Sequence, residues 1–196
     1  MDIIILGFLV IIFSVQLISR KTRSDFYRSG FFGLTIFISA AIIIFGLAGY
    51  YSWAQYKLWQ GNEIGKFFLP PYRNLDYFVF FIRTRFFNQY LLSLIVGIIF
   101  LAATRYLNKR FGERFFELIE PYLLATAIFS VGHPAWLVYL FVLLISALIL
   151  SFVSSHLSFV KSERLSFYYL WLPTAFLTII ISKWLSVLPW WQLLKL

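Results

Sequence analysis

The segment FFGLTIFISAAIIIFGLAGYYSW (residues 31–53) carries no charged side chain and exceeds the roughly 20 residues that cross a bilayer core as a helix. Lipid offers no partner for backbone N–H and C=O groups, so a segment of this kind is stable in a membrane only as a helix. Five further apolar segments flank it, and nearly every charge lies between them. They are residues 3–19, 86–104, 118–132, 135–154 and 167–188, of which 118–132 is the shortest.

The composition supports the same fold class. Hydrophobic residues make up 61% of the chain and charged residues 13%, against about 45–50% and about 25% in soluble domains. A water-soluble fold of this length has no place for so much apolar surface. The sequence therefore predicts an all-α, polytopic integral membrane helix bundle of about six transmembrane helices, with residues 1–196 forming a single domain in the cell membrane.

The positions of the basic residues predict the orientation of the bundle. Ten of the 17 lysines and arginines follow the first, third and fifth spans: Arg20, Lys21, Arg23, Arg28, Arg105, Lys109, Arg110, Arg114, Lys161 and Arg164. We expect these ends to face the cytoplasm and the N-terminus to lie outside, with the first span uncleaved. The net charge of +9 lies in short groups beside the spans, which predicts anionic phospholipid rather than nucleic acid as the partner.

The longest connection, residues 54–85, lies between the second and third spans. Pro70 and Pro71 interrupt any helix there, because proline lacks the backbone donor and restrains the residue before it. The apolar stretches 66–69 and 77–82 suit the membrane surface. We predict an extracytoplasmic, interfacial arm, and its use as a ligand site or as a plain connector stays open.

Polar side chains near the spans are the candidate functional residues, because a polar group in the bilayer is costly and usually has a role. The largest group opens the third span and consists of Arg83, Arg85, Asn88, Gln89 and Tyr90. We predict that it binds a lipid headgroup; the alternative is an interfacial anchor whose arginines extend to water. His133, between the fourth and fifth spans, is the candidate catalytic residue as a proton acceptor, or else an ordinary turn histidine.

Several chemistries are excluded. The chain has no cysteine, so it can form neither a disulfide nor a thiolate nucleophile. His133 and His156 are predicted on opposite sides of the membrane and cannot share a metal ion. The sequence also lacks the motifs of serine hydrolases, zinc proteases and phosphate-binding loops. We therefore expect no metal and no cofactor.

Four stretches resemble, in order, the prolipoprotein diacylglyceryl transferase family, membrane enzymes that move a diacylglyceryl group from phosphatidylglycerol to a lipoprotein cysteine. LISRKTRSDFYRSGFFGLTIFISAAIIIFGLAGYYSW (17–53) resembles the family's basic loop, glycine-bearing helix and aromatic end, and RFFELIEPYLLATAIFSVG (114–132) its small-residue helix. HPAWLVYLFVLLISALILSFV (133–153) is similar to its His-Pro helix, and RLSFYYLWLPTAFLTIIIS (164–182) to its late tyrosine-rich helix. The resemblance implies a bacterial inner-membrane location and phospholipid binding.

The chain departs from the family at the positions that carry its chemistry. Residues 88–90 replace the family's His-Gly-Gly, and its Gly-Arg-x-Gly-Asn-Phe segment is missing. Leu177 stands where the last helix of the family has an arginine, and only His133 and Pro134 match as motif residues. Without the arginines and the central histidine, a lipid phosphate loses its positioning and its electrostatic stabilisation.

Three interpretations follow, and the sequence leaves open whether the chain is an enzyme. The favoured one is a reduced relative of the family that has lost catalysis and binds phospholipid or a membrane-protein partner. The second is an active transferase that uses Arg83, Arg85, Tyr90 and His133 in a rebuilt site. The third is an unrelated subunit of a membrane complex or a small transporter that shares only the order of helices.

Overall fold

The computed structural model describes residues 1–22, 29–156 and 167–194, which form helices and turns without a strand. The α-helices in these ranges are α1 (Asp2–Thr22), α2 (Gly30–Gly61), α3 (Asp76–Ile82), α4 (Asn88–Arg110), α5 (Glu120–Val131), α6 (Ala135–His156), α7 (Trp171–Leu185) and α8 (Pro189–Leu193). The predicted all-α class is confirmed. Arg23, Arg28, Lys161 and Arg164, on which part of the predicted orientation depends, lie outside the described residues.

Three helical segments are long and apolar enough to cross a membrane. They are Gly30–Gly61, Asp76–Arg110 and Ala135–Val153, whose most apolar windows have mean hydropathies of 2.5, 2.0 and 2.7. The apolar parts of α1 and α5 are shorter, and α7 has 15 residues. The sequence analysis predicts six spanning helices, whereas the described residues contain three of spanning length and composition.

Helix α5 lies at the centre of the bundle. Every residue from Glu120 to Ser130 is buried, because α2, α4, α6 and α7 all pack against this helix. At 12 residues and 1.5 Å per residue it is about 18 Å long. The apolar character of 118–132 thus reflects burial inside the protein. The sequence does not distinguish the two cases, because an apolar segment of that length suits a protein interior as well as a membrane.

Small residues let the backbones of neighbouring helices approach α5 closely. A Cβ atom added at Gly97 of α4 would lie 3.0 Å from the carbonyl oxygen of Ala125. One added at Gly33 of α2 would lie 2.9 Å from the side chain of Tyr122. On α4, the buried Ser93 hydroxyl lies 3.3 Å from the Phe129 carbonyl oxygen and can donate to it. These contacts fix α2 and α4 against the central helix.

The turn between α4 and α5 is organised by Asn108, which is buried although polar. Its amide nitrogen donates to the Phe116 carbonyl at 2.8 Å, and its amide oxygen accepts from the backbone N–H groups of Phe115 and Phe116. The Glu120 carboxylate accepts from the Glu117 N–H at 3.3 Å. Acidic groups are favourable at a helix N-terminus, so this end of α5 is held by side chains on both sides of the turn.

The predicted arm over 54–85 is shorter and more helical than the sequence analysis indicates. Helix α2 continues to Gly61, and α3 joins α4 through a π-helical turn at Arg83–Phe87. Residues 62–75 connect them, with Pro70 and Pro71 in the non-helical part as predicted. The ring of Trp59 packs at 5.1–6.1 Å against the rings of Phe68, Tyr77, Phe78 and Phe81. This aromatic packing stabilises both helix extensions.

Replacing Gly97 with valine is expected to lower the melting temperature of the detergent-solubilised protein. The added carbon would crowd a backbone oxygen of α5 at 3.0 Å, and overpacking of this kind costs about 1–3 kcal/mol. Gly46→Val is the matched control, since among the described residues nothing lies within 4 Å of a Cβ atom at that helical position. An equal fall in Tm for both variants would contradict the close approach of α4 to α5.

Candidate functional site

A cavity of about 580 Å³ opens at the end of the bundle where α1 begins and α5 turns into α6. Its wall consists of Met1, Asp2, Tyr51, Tyr77, Phe80, Phe81, Thr84, Arg85, Phe86, Gln89, Tyr90 and His133. Four of the six predicted site residues, Arg85, Gln89, Tyr90 and His133, are therefore brought together. Arg83 and Asn88 lie outside this wall. We call this space the Arg85 cavity.

A regular spacing links four of the eight wall residues that α3, the π-helical turn and α4 supply. Tyr77, Phe81, Arg85 and Gln89 recur at intervals of four residues, and side chains with this spacing share one face of a helix. Arg83 falls between these positions. The aromatic part of the wall was not predicted from the sequence. The four-residue interval was the available signal for Tyr77 and Phe81, and it also distinguishes Arg85 from Arg83.

Aromatic contacts with α2 hold the π-helical turn in place. The ring of Phe86 stacks on Tyr51 with centroids 6.2 Å apart, and Phe87 stacks on Phe45 at 6.3 Å. Both rings contact α2, and Arg85 beside them lines the cavity and is exposed. Within the part of the chain that the structure describes, Arg85 has no carboxylate partner, and the ion pair found there joins Lys183 to Asp2. The guanidinium is thus available to an anionic ligand.

His133 is held by three hydrogen bonds. Its backbone N–H donates to the Gln89 carbonyl at 3.0 Å, which ties the α5–α6 turn to α4. The indole Nε1–H of Trp136 donates to Nδ1 at 3.2 Å, and Nε2 lies 2.7 Å from the Leu194 carbonyl oxygen. Because an indole N–H only donates, Nδ1 must be the acceptor, and Nε2 carries the proton given to Leu194. To accept a proton at Nδ1, His133 would have to give up the Trp136 bond.

Tyr90 forms the buried floor of the cavity. It is 5% exposed, and its ring meets the Phe129 ring edge-on with centroids 6.4 Å apart. Gly132, which ends α5, has φ of +77°, and a Cβ atom there would lie 3.4 Å from the Tyr90 ring. Glycine adopts positive φ without strain. The turn before His133 can therefore pass directly over Tyr90.

A smaller chamber of about 190 Å³ adjoins the Arg85 cavity. The two spaces share Asp2, Gln89, Tyr90 and His133. The remaining polar lining of the chamber consists of Ser130, Ser182, Lys183 and Ser186, and the buried ring of Trp191 covers one side. The sequence alone indicates no role for Asp2 or Lys183, because their pairing depends on the packing of α1 against α7. We call this space the inner chamber.

The chain was compared with protein-family models, with curated proteins and with solved structures, and none of the three comparisons gave a match. The resemblance to the diacylglyceryl transferase family stays a prediction, and the function must be argued from the geometry of the site.

The hydrogen bonds of His133 predict its tautomer. In His156→Gln protein labelled with ¹⁵N-histidine, we expect NMR to find the remaining histidine protonated at Nε2 and not at Nδ1. Trp136→Phe removes the donor to Nδ1 but leaves the Leu194 carbonyl oxygen at Nε2, so the same tautomer should persist while the Nδ1 resonance shifts. Trp184→Phe is the control, because Trp184 is 80% exposed. A protonated Nδ1 in the protein that retains Trp136 would contradict the arrangement.

Proposed function

We propose that this chain is a multi-pass membrane protein that binds an anionic phospholipid in the Arg85 cavity, on a scaffold like that of the diacylglyceryl transferases but without transfer activity. The observation that carries the proposal is the composition of the cavity wall, where an arginine without a carboxylate partner in the described residues lies beside a row of aromatic rings. A phospholipid has the same division between an anionic and an apolar part.

The exposed surfaces of the shorter helices support a bundle of about six spans. Ile3 and Ile11 of α1 are 79% and 64% exposed, and Leu177 and Ile180 of α7 are 45% and 41% exposed. Apolar surface of this extent is stable only when a membrane or a partner covers it. We infer that α1 and α7 share a lipid environment with the three long helices, which together enclose α5. The bacterial inner membrane follows from the family resemblance.

The chemistry of the wall suits a lipid phosphate. A guanidinium binds phosphate through two parallel N–H donors, and the amide of Gln89 supplies a further donor from the next turn of the same face. Phe80 and Phe81 offer an apolar surface to the glycerol and the start of the acyl chains. The volume of about 580 Å³ lies within the roughly 300–1,000 Å³ of small-molecule sites.

The same wall argues against transfer. Moving a diacylglyceryl group to a thiol requires a base for the thiol and stabilisation of the departing phosphate. His133 uses both ring nitrogens in hydrogen bonds to Trp136 and Leu194. Leu177, at the position where the last helix of the family has an arginine, lines a different and apolar groove. Binding without chemistry is the function that these residues support best, and a membrane-protein partner stays an additional prediction.

The binding proposal predicts different effects for two neighbouring arginines. Arg85→Gln should weaken binding of an anionic phospholipid such as phosphatidylglycerol by about tenfold or more, as expected when a hydrogen bond to a charged group is lost. Arg83→Gln removes the same charge from an exposed residue outside the cavity, so its effect should be much smaller. Lipid titration followed by native mass spectrometry measures both. Equal losses would show that only the net charge matters and would refute the site.

A transfer assay tests the catalytic part of the proposal. Purified protein given phosphatidylglycerol and a lipobox peptide should form no diacylglyceryl thioether, as measured by mass spectrometry of the peptide. Turnover that is abolished by His133→Ala would instead support the rebuilt-transferase interpretation. Retained lipid binding by the same preparation is the control that the protein is folded.

A further inference from the structure

An apolar groove of about 370 Å³ runs between α1 and α7, apart from the Arg85 cavity. Its walls include Leu9, Val10 and Phe13 of α1 and Phe176, Leu177 and Ile180 of α7. Several of these side chains remain substantially exposed, with Val10 at 48% and Leu177 at 45%. The groove therefore presents a recessed apolar surface, and its occupant is indicated by what lies at its end.

The groove and the inner chamber share no lining residue, but they lie about one turn apart along the same two helices. Ile5 lines the chamber and lies one turn before Leu9, while Lys183 lines the chamber and lies one turn after Ile180. Seven residues separate Asp2 from Leu9, which corresponds to about 10 Å of helix. A polar space and an apolar one thus follow each other over the length of a phospholipid headgroup and the start of its acyl chain.

The charges in the inner chamber balance each other. The Lys183 ammonium and the Asp2 carboxylate are 4.0 Å apart, and the two side chains are 53% and 50% exposed. Exposed ion pairs with this separation contribute little to stability. A ligand that carries one anionic and one cationic group can separate the two side chains and pair with each of them. A ligand with a single negative charge leaves Asp2 unpaired.

A buried hydroxyl group in the same chamber lacks a hydrogen-bond partner among the described residues. Ser130 is 2% exposed, it lines the chamber, and its Oγ has no hydrogen-bond partner among the described residues. Leaving a buried hydroxyl without a partner is costly. A polar headgroup in the chamber would supply the missing hydrogen bond, which apolar groove residues cannot do.

We propose that the inner chamber and the α1–α7 groove form a second lipid site, which binds a zwitterionic phospholipid. The lipid phosphate lies at Lys183, the cationic end of the headgroup lies at Asp2, and one acyl chain fills the groove beside Val10 and Leu177. This site differs from the Arg85 cavity in charge, because its own ionic groups sum to zero whereas Arg85 has no anionic partner in the described part of the chain. Lipid binding at the Arg85 cavity is not required for it.

Photo-crosslinking of the full chain in liposomes tests the groove. The probe is a zwitterionic phospholipid that carries a diazirine in one acyl chain, and peptide mass spectrometry quantifies the label on residues 172–180. Val10→Trp fills the groove and should reduce this label by about fivefold, which corresponds to a loss of about 1 kcal/mol. Ile11→Trp is the matched control, because Ile11 is 64% exposed and adjacent but lies outside the groove wall.

A second variant tests the polar end. In the Asp2→Asn, Lys183→Gln double variant, labelling by the zwitterionic probe relative to an anionic probe with the same chain should fall by about fivefold. A single charge near a headgroup has an effect of about this size. Equal labelling by both probes in the unsubstituted protein would overturn the proposal, and so would a label that Val10→Trp leaves unchanged. The Arg85→Gln titration reports only on the first cavity, so the two sites can fail separately.

Discussion

The burial of α5 on every side is the constraint on which the rest of the structure depends. A helix whose residues from Glu120 to Ser130 are all buried can be accommodated only if its neighbours approach it closely, and Gly97 and Gly33 allow this by leaving space for Ala125 and Tyr122. Its two ends are fixed differently. Asn108 organises the turn before it, and the hydrogen bond from His133 to Gln89 fixes the turn after it.

The Arg85 cavity is a consequence of this central position. Because α5 is only about 18 Å long, it ends beside Phe45 of α2, whereas α2 continues to Gly61 and packs there against α3. The aromatic rings around Trp59 hold these extensions together, so they form a wall above the short central helix. Gln89 and His133 form the base of the resulting space, and Arg85 lies at its side. The helix that organises the core therefore also makes room for a ligand.

Some of this arrangement could be predicted from the sequence, and the limits have physical causes. Local composition predicts the helical class and the break at Pro70 and Pro71. The alternation of spans predicts that the start of α4 and the α5–α6 turn lie at the same end of the bundle, which brings together Arg85, Gln89, Tyr90 and His133. The burial of α5 could not be predicted, because protein and lipid both favour apolar side chains. The role of Asp2 and Lys183 could not be predicted either, since residues so distant in sequence meet only through the packing of α1 against α7.

The ion pair between Lys183 and Asp2 also bears on the proposed selectivity of the Arg85 cavity. Asp2 lines both spaces, and an unpaired carboxylate beside Arg85 would neutralise the arginine and repel a lipid phosphate. With Lys183 4.0 Å from Asp2, the negative charge is offset on the side of the inner chamber, and the Arg85 guanidinium keeps no carboxylate partner among the described residues. The proposed difference in headgroup charge between two adjacent spaces that share four residues therefore depends on one lysine of α7.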